Sequence, residues 1–272
     1  MLEELRRAGS PLCSSAARDE RLLTSLFLDD LFDLLHDAVD ERFGFSRYAE
    51  RLAAAATSFE PLRRELEGPA TPFDRMLDAL VVERVQSESP GLVGITVPFP
   101  GTLYGALRVA RAVRRAAPSA KVVLGGGYVN TELRELREPR LFEIVDALVF
   151  DDGEVPLVQL AEWFAARCAG PLPPRVATRT RLPPDALAGP AVREARLRHR
   201  DRPAPDYRGL PLDLYFGIAE TPNPMLRLWS ERFWNKLSLA HGCYWRRCAF
   251  CDTSLDYIAR FDPADAATVE RG

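Results

Sequence analysis

Short apolar runs alternate with amphipathic segments between residues 88 and 165, and this alternation restricts the fold class more than any other feature. The runs GLVGITV, KVVLGGG and ALVF are each followed by a helical pattern, and TLYGALRVARAVRRAA is the clearest of these patterns. Helical spacing predicts that one stripe of this helix is formed by Leu103, Leu107, Ala110 and Val113, with Arg108, Arg111 and Arg115 on the opposite side. Strands and helices in this order predict βαβ units and a parallel sheet.

The loops that follow the three predicted strands are candidate ligand-binding segments. In open parallel sheets, ligands bind beyond the carboxyl ends of the strands. These loops read PFPGT, GGGYVNT and DDGE. The sheet has no obvious strand before residue 88, so we expect about four strands, with VATRT as a candidate for the last one.

Helical and proline-rich segments flank this region. Helical periodicity extends from residue 20 to about residue 85, and includes LLTSLFLDDLFDLLHDAVDERFG and FDRMLDALVVERV. Proline-rich sequence follows residue 180, where few regular elements are expected. The predicted organisation is a helical region (1–87), a Rossmann-like domain (88–180), a linker (181–232) and a final segment (233–272). His36 and His199 are interpreted as surface or solvated residues, and Cys13 and Cys168 as structural residues, with Cys168 buried.

Composition and charge exclude several classes of protein. The formal net charge is −3 over 272 residues, whereas a large nucleic-acid surface needs clustered excess base, so we expect no nucleic-acid partner. No apolar run is long enough to span a membrane, and MLEELRRAGSPLC lacks the apolar core of a signal peptide. We therefore expect a cytoplasmic protein with no membrane partner, whose thiols stay reduced and available to a metal.

Three of the five cysteines lie together in HGCYWRRCAFCD, at the spacing C-x4-C-x2-C. The preceding LSLA run is predicted to be a strand that delivers Cys243, Cys248 and Cys251 into a loop. A closed structural zinc site needs four ligands, and His241 is a candidate for the fourth. A 4Fe–4S cluster held by three cysteines keeps one iron open for a ligand. Both interpretations follow from the residues themselves.

The stretch LAHGCYWRRCAFCDTSLDYI resembles the cluster loop of the radical S-adenosylmethionine superfamily, in its cobalamin-binding branch. The resemblance implies that Cys243, Cys248 and Cys251 hold a 4Fe–4S cluster and that Phe250 packs near the adenine of S-adenosylmethionine. It also implies reductive cleavage of that cofactor and an electron donor of the flavodoxin or ferredoxin type. The commonest motif has three residues between the first two cysteines, whereas four separate Cys243 and Cys248.

The series GITVPFPGT, VVLGGGYVNT and ALVFDDGE resembles the Rossmann-like cobalamin-binding domain of the same branch. The cofactor contacts that this resemblance implies are Thr96, Pro98, Gly125, Gly126, Gly127, Gly153 and Glu154. A planar corrin can press on glycine backbone that lacks Cβ atoms, although glycines after a strand also form ordinary tight turns. The D-x-H-x-x-G motif that supplies an axial histidine in other enzymes is absent, so we expect no protein histidine on cobalt.

Together these resemblances predict the N-terminal part of a cobalamin-binding radical S-adenosylmethionine enzyme, with radical methyl transfer as one possible chemistry of the parent family. The fold expected is α/β: a helical region, a Rossmann-like parallel sheet, and the first strand and cluster loop of an incomplete (β/α) barrel. DPAD is read as a helix start, with Asp262 at the N-cap and Pro263 as first helical residue. A chain with so little of a barrel is expected to be inactive alone and to need a companion chain. The alternative is a non-catalytic cobalamin- or nucleotide-binding module with a structural zinc site.

Overall fold

The computed structural model describes residues 16–42, 59–194, 197–202, 204, 206–211, 238–249 and 251–271. The chain divides into two compact units, the first at residues 35–197 and the second at residues 1–34 with 198–272. The predicted helix YAERLAAAA, the candidate residue Phe250, Cys13 and most of the predicted strand FWNKLSLA lie outside the described residues. Each unit is considered by itself below.

Helices come before the sheet, as the periodicity predicts. They are α1 (Ala16–Ala38), α2 (Glu60–Glu67) and α3 (Pro72–Glu88). Thr71 caps α3, because its hydroxyl accepts the Asp74 N–H while the Asp74 carboxylate accepts the Thr71 N–H. No described helix combines the length and the apolar composition that a membrane crossing requires.

The sheet has the four strands expected, and the last comes from VATRT. Its elements in chain order are β1 (Leu92–Thr96), α4 (Leu103–Ala116), β2 (Lys121–Gly125), α5 (Gly127–Thr131), β3 (Ala147–Val149), α6 (Glu154–Ala165) and β4 (Val176–Ala177). The spatial order follows the chain order, β1-β2-β3-β4. The β1–β2 and β2–β3 pairs are parallel, whereas β4 runs antiparallel to β3.

Alternate strand residues face two separate apolar layers, because successive side chains of a strand point to opposite faces. One layer joins Val122, Leu124, Leu148 and Phe150 to the helices α2, α3 and α4. The other joins Val123, Ala147, Val149 and Val176 to Leu160 and Trp163 of α6. All four members of the predicted α4 stripe are buried.

Arg108 contradicts the prediction that it lies opposite the buried stripe of α4. It is 4% exposed, and its guanidinium donates to the Asp78 carboxylate of α3 at 2.7 Å. Its Nε atom also lies 3.7 Å from the buried Asp74 carboxylate. The prediction was wrong because α3 covers a second side of α4, which helical spacing within α4 alone does not reveal.

Tyr104 of α4 contacts the same buried Asp74 carboxylate as Arg108 does, and its pKa is raised. It is fully buried, and its hydroxyl donates to Asp74 at 3.1 Å. Burial, followed by the neighbouring Asp74 carboxylate, raises the pKa of Tyr104 to about 12 from its ordinary value of 10.0. The folded state therefore holds the phenol proton more tightly than the unfolded state. This contribution to stability is complete below about pH 10 and is lost as the pH rises to about 12.

We predict that the free energy of unfolding falls more steeply between pH 10 and pH 12 in the wild type than in a Tyr104→Phe variant. Urea unfolding at closely spaced pH values measures the two slopes. The phenolate absorbance that is missing from the variant identifies the titration of Tyr104 itself. Equal slopes in both proteins would contradict the assignment.

The segment after α6 contains short elements, including α7 (Pro183–Ala186) and α8 (Pro190–Glu194). Cys168 is exposed, which corrects the prediction that it is buried. The reason is that α6 ends at Ala165, and Cys168 then adopts a left-handed conformation with φ at 62°. The turn carries its side chain away from the helix stripe that the spacing had extended.

The described part of the second unit is built around a two-stranded hairpin. Strand β5 (Ala240–His241) pairs antiparallel with β6 (Asp262–Pro263), and the helices α9 (Asp256–Ala259) and α10 (Ala266–Arg271) flank β6 in the chain. Asp262 is therefore a strand residue, and the prediction that it caps a helix was wrong. Asp265 does so instead, because its carboxylate accepts the Thr268 N–H at 2.8 Å.

His199 also departs from its interpretation as a solvated residue, because it is only 6% exposed. Its backbone N–H donates to the Asp262 carboxylate at 2.7 Å, and its ring Nε2 lies 2.7 Å from the Ser238 carbonyl oxygen. Both contacts join residues far apart in the chain, so the arginine-rich local sequence gave no sign of them. His199 thus anchors the hairpin.

Candidate functional site

Two of the three predicted loops are joined by backbone hydrogen bonds at the carboxyl edge of the sheet. The Val97 N–H donates to the Gly125 carbonyl at 2.7 Å, and the Tyr128 N–H donates to the Val97 carbonyl at 3.0 Å. The predicted residues Thr96 and Pro98 are exposed on either side of the buried Val97. These two residues are therefore accessible at the edge where parallel sheets bind ligands.

The middle glycines allow this close approach of the two loops. Gly126 has a φ of 102° and a ψ of −177°, a conformation nearly restricted to glycine. A Cβ atom at Gly126 would lie 2.9 Å from the backbone N and O of Val97, and one at Gly127 would lie 3.0 Å from the Pro98 carbonyl oxygen. The packing of one loop on the other is therefore sufficient to require Gly126 and to favour Gly127.

The remaining predicted glycines are less restricted. A Cβ at Gly125 would make an ordinary contact with the Val149 carbonyl oxygen at 3.6 Å, and a Cβ at Gly153 would meet no atom within 4 Å. Gly153 stands at the N-cap of α6, and the exposed Glu154 begins that helix. Gly153 thus borders open space at a helix N-terminus, where backbone N–H groups favour anionic or carbonyl oxygens.

Four polar residues hold the third loop in place, and we name Asn130, Arg134, Asp151 and Arg175 the Asp151 clamp. Asn130 Oδ1 accepts the Asp151 N–H at 2.6 Å, and Asn130 Nδ2 donates to the Asp151 carbonyl at 3.3 Å. The Asp151 carboxylate lies 2.5 Å from Arg134 Nη1 and 3.5 Å from Arg175 Nε. The clamp connects α5, the end of β3 and the segment before β4. Sequence reasoning missed it because its members are up to 45 residues apart.

Phe99 is a second residue that sequence reasoning missed. It lies in PFPGT, immediately after the predicted contact Pro98, and is 68% exposed. An exposed phenylalanine beside glycine-lined loops suits an apolar ligand surface. The sequence could have indicated Phe99, because the strand pattern already places its loop at the carboxyl edge of the sheet and Phe99 is the aromatic residue of that loop.

The cysteine loop leaves the hairpin of the second unit. Cys243, Cys248 and Cys251 are all free thiols, and the Cys251 N–H donates to the Cys248 carbonyl at 3.3 Å. Hydrogen bonds from the backbone N–H groups of Arg246 and then Trp245 lower the pKa of the exposed Cys243 thiol. This favours the thiolate, which is the form that binds metal.

The three thiols do not form a closed metal site. Among the described residues, no three His, Cys, Asp or Glu side chains are grouped closely enough to hold one ion. His241, the candidate fourth zinc ligand, has its Nε2 atom 2.9 Å from the Tyr257 carbonyl oxygen. Thiolates are the donors that hold iron–sulfur clusters, but the structure does not bring these three thiols together as an assembled centre.

The fold and the loops define an α/β domain with a ligand-binding carboxyl edge. Residues 70–161 match the family model of the B12 binding domain. The match runs from the start of α3 into α6, includes all three parallel strands and their following loops, and covers about a third of the chain. No curated protein and no solved structure matches the chain.

The carboxyl edge fits a corrinoid in two respects. The open space at Gly153 and the exposed backbone at Gly127 leave room for a flat macrocycle to approach the main chain. Phe99 offers apolar surface in the loop that packs on Gly126 and Gly127, and the start of α6 offers N–H donors to amide side chains of a corrin. The match confirms the prediction of a B12-binding domain. The parallel strands and the helices between them agree with the predicted Rossmann-like α/β fold.

Proposed function

We propose that residues 70–161 bind a cobalamin across the carboxyl edge of the sheet. The match to the B12 binding domain carries the proposal, because the matched segment contains each of the three converging loops. The exposed Phe99 is added to the predicted contacts, which are Thr96, Pro98, Gly125, Gly126, Gly127, Gly153 and Glu154. Bound cobalamin supplies a cobalt centre that can carry a methyl group.

No histidine of residues 70–161 would be available to hold a cobalamin. His36, His199 and His241 are the chain's three histidines, and all lie outside residues 70–161. His199 and His241 are in addition engaged through their ring Nε2 atoms with backbone carbonyl groups. The domain's own contribution is therefore to orient the macrocycle and to exclude water from one of its faces.

The test is a titration of the full chain with hydroxocobalamin, followed by absorbance and by retention on a desalting column. We predict that Phe99→Ala lowers the affinity by about tenfold, since it removes an exposed aromatic surface that the macrocycle would cover. Leu80→Ala is the matched control, because Leu80 is 62% exposed and belongs to α3, not to any of the three loops. Phe99→Ala should leave the free energy of unfolding within about 0.5 kcal/mol of the wild type.

A second pair of variants tests whether cobalamin approaches the backbone at Gly153 in particular, as opposed to any exposed glycine. Gly153→Leu places a side chain in the open space at the start of α6, whereas Gly91→Leu places one at the opposite, amino edge of the sheet, where a Cβ also meets no atom within 4 Å. Only the first should weaken cobalamin binding. Equal affinity in all four variants, or no binding by the wild type, would contradict the proposal.

We also propose that Cys243, Cys248 and Cys251 hold a 4Fe–4S cluster of the radical S-adenosylmethionine type, with Phe250 as the proposed contact to the adenine. The supporting observation is the trio of free thiols within nine residues, one with a lowered pKa. When bound, the cluster supplies one electron and an open iron for S-adenosylmethionine. In this chain the backbone N–H groups of Trp245 and Arg246 stabilise the Cys243 thiolate.

Anaerobic reconstitution with iron and sulfide tests this second proposal. We expect about four irons per chain in the wild type and none in the Cys243→Ala, Cys248→Ala, Cys251→Ala triple variant. Cys168→Ala is the matched control, because Cys168 is also an exposed free thiol and should not affect the iron content. Stoichiometric zinc that is retained in air and lost in the triple variant would instead favour the non-catalytic module with a structural zinc site.

A further inference from the structure

Strand β1 lies at one side of the four-stranded sheet, because the order β1-β2-β3-β4 gives it β2 as its one neighbour within that sheet. The Gly91 carbonyl accepts the Lys121 N–H at 3.0 Å, and the Val97 N–H donates to the Gly125 carbonyl at 2.7 Å. In a parallel pair, alternate residues of a strand direct both backbone groups to the same neighbour. The residues whose N–H and C=O groups point away from β2 are therefore Leu92, Gly94 and Thr96.

We name these outward-pointing N–H and C=O groups of Leu92, Gly94 and Thr96 the β1 edge. They make no hydrogen bond with any residue that the structure describes. Gly94 and Thr96 are exposed, and a Cβ at Gly94 would meet no atom within 4 Å. The strand sequence LVGIT contains neither a charge nor a proline, which are the residues that usually prevent pairing at a sheet edge. The β1 edge is therefore a template for a further strand.

The opposite side of the same sheet is protected. Strand β4 has only two residues, and the Arg181 guanidinium donates to the Val176 carbonyl from Nε at 3.2 Å and from Nη2 at 2.7 Å. Short strands and covering side chains are two means by which proteins prevent pairing at an edge. The two sides of the sheet therefore differ, and the β1 edge is the side that can accept a strand.

The sequence around β1 is suited to pairing with a second copy of itself. Pro90 and Pro98 lie four residues before and four residues after Gly94, at positions that continue the outward-pointing series. Because proline has no N–H, each of them ends the run of donors. An antiparallel pair centred on Gly94 places Leu92 opposite Thr96 of the second copy, and the pairing stops at a proline at either end.

The same register continues an apolar layer of the sheet. Val93 and Ile95 are half-buried and pack against the layer that contains α2, α3 and α4. An antiparallel pair centred on Gly94 places Val93 of one copy directly opposite Ile95 of the other. Side chains that lie opposite each other across two strands are in contact, and pairs of β-branched residues stabilise a sheet. The pairing therefore covers apolar surface that one copy leaves partly exposed, and it brings no like charges together.

We propose that the chain forms a symmetric dimer in which the β1 edges of two copies pair antiparallel about Gly94. The two Gly94 residues exchange both of their backbone hydrogen bonds, and Leu92 does the same with Thr96 of the other copy. The contact uses the same surface of both copies, so it closes after two chains and leaves no β1 edge for further growth.

The dimer does not depend on the cobalamin or the cluster proposal, because it is formed by the backbone of β1. Antiparallel pairing also points the carboxyl ends of the two β1 strands in opposite directions. The two candidate cobalamin sites therefore lie at opposite ends of the joined sheets and do not compete for space.

Analytical ultracentrifugation of the full chain, over a range of micromolar concentrations, measures the mass and the dissociation constant of the dimer. We expect the mass of two chains. Gly94→Lys places two ammonium groups opposite each other at the symmetry axis, and it should raise the dissociation constant at least tenfold. Gly105→Lys is the matched control, because it makes the same change on α4, where a Cβ likewise meets no atom within 4 Å. Circular dichroism checks that both variants are folded.

A cross-link tests the register independently of charge. The Cα atoms of a hydrogen-bonded antiparallel pair are about 5.5 Å apart, a distance that a disulfide spans. Gly94→Cys should therefore give a covalent dimer on treatment with oxidised glutathione. Thr96→Cys should not, because the two copies of position 96 are more than about 13 Å apart in this register. Mass spectrometry of the linked peptides distinguishes the new cross-link from any that involve the native cysteines.

Each of three results would overturn the proposal. The first is the mass of a single chain at every concentration. The second is the same dissociation constant for Gly94→Lys and Gly105→Lys. The third is equal cross-linking of Gly94→Cys and Thr96→Cys, which would show that the two copies meet without the register centred on Gly94.

Discussion

Replacing Asp151 by alanine is expected to lower the free energy of unfolding of the first unit by about 3–5 kcal/mol. The side chains of Asp151 and Arg175 are 10% and 2% exposed, so the substitution removes a carboxylate that faces two guanidinium groups in a nearly water-free position. Truncating one partner of a buried ion pair is costly because the other charges stay desolvated. Urea unfolding of the full chain, followed by far-ultraviolet circular dichroism, measures the change.

Asp151 also has a φ of 61°, which aspartate and asparagine tolerate better than alanine does. Asp151→Asn therefore removes the charge while keeping the preference for this conformation, and it should still lose more than about 2 kcal/mol. Glu135→Ala, at an exposed position close in the chain, is the control and should change stability by less than about 0.5 kcal/mol. A loss of less than 1 kcal/mol in both Asp151 variants would show that the clamp adds little to stability.

Replacing Gly126 by alanine is expected to destabilise the same unit by about 2–4 kcal/mol. The new Cβ would meet backbone atoms of Val97 at 2.9 Å, and the φ of 102° is strained for any residue with a side chain. Neither the strand end nor the loop can yield without breaking the hydrogen bond between Val97 and Gly125. Thermal and urea unfolding of the full chain measure this loss.

Gly125→Ala and Gly153→Ala provide the comparison for Gly126→Ala. Their φ angles are not in the left-handed region, and a Cβ at either position makes only an ordinary contact or none. We expect each to change stability by less than about 1 kcal/mol. Similar losses in all three variants would mean that the glycines are needed for flexibility in general and not for the approach of two loops.

The sheet was predictable because its strands are encoded locally. Continuous apolar runs such as KVVLG and ALV need no knowledge of distant residues, and the helices between them have a regular apolar stripe. The antiparallel direction of β4 was not predictable in the same way. Only two residues form it, and their direction is set by pairing with Leu148 and Val149 and not by any pattern of their own.

Long-range polar contacts account for most of what the sequence could not reveal. Arg108 is buried through α3, His199 is buried through Ser238 and Asp262, and Asp151 is held by Arg134 and Arg175. Arginine and histidine are usually exposed, so local reasoning assigns them to the surface unless the partner is known. The cysteine group, in contrast, could be recognised from the sequence, because all three thiols lie within nine consecutive residues and no distant partner is needed.

Beyond the end of β3, the side chain of Asn130 takes the place of a neighbouring strand for the backbone of Asp151. Its primary amide both accepts from the Asp151 N–H and donates to the Asp151 carbonyl, so it satisfies both backbone groups of that residue. Aspartate could accept but not donate, and an aliphatic residue could do neither. Position 130 therefore has the same restriction as a backbone hydrogen-bonding group. A redesign of this domain, or a transfer of its third loop to another scaffold, should keep asparagine there and vary the neighbouring residues instead.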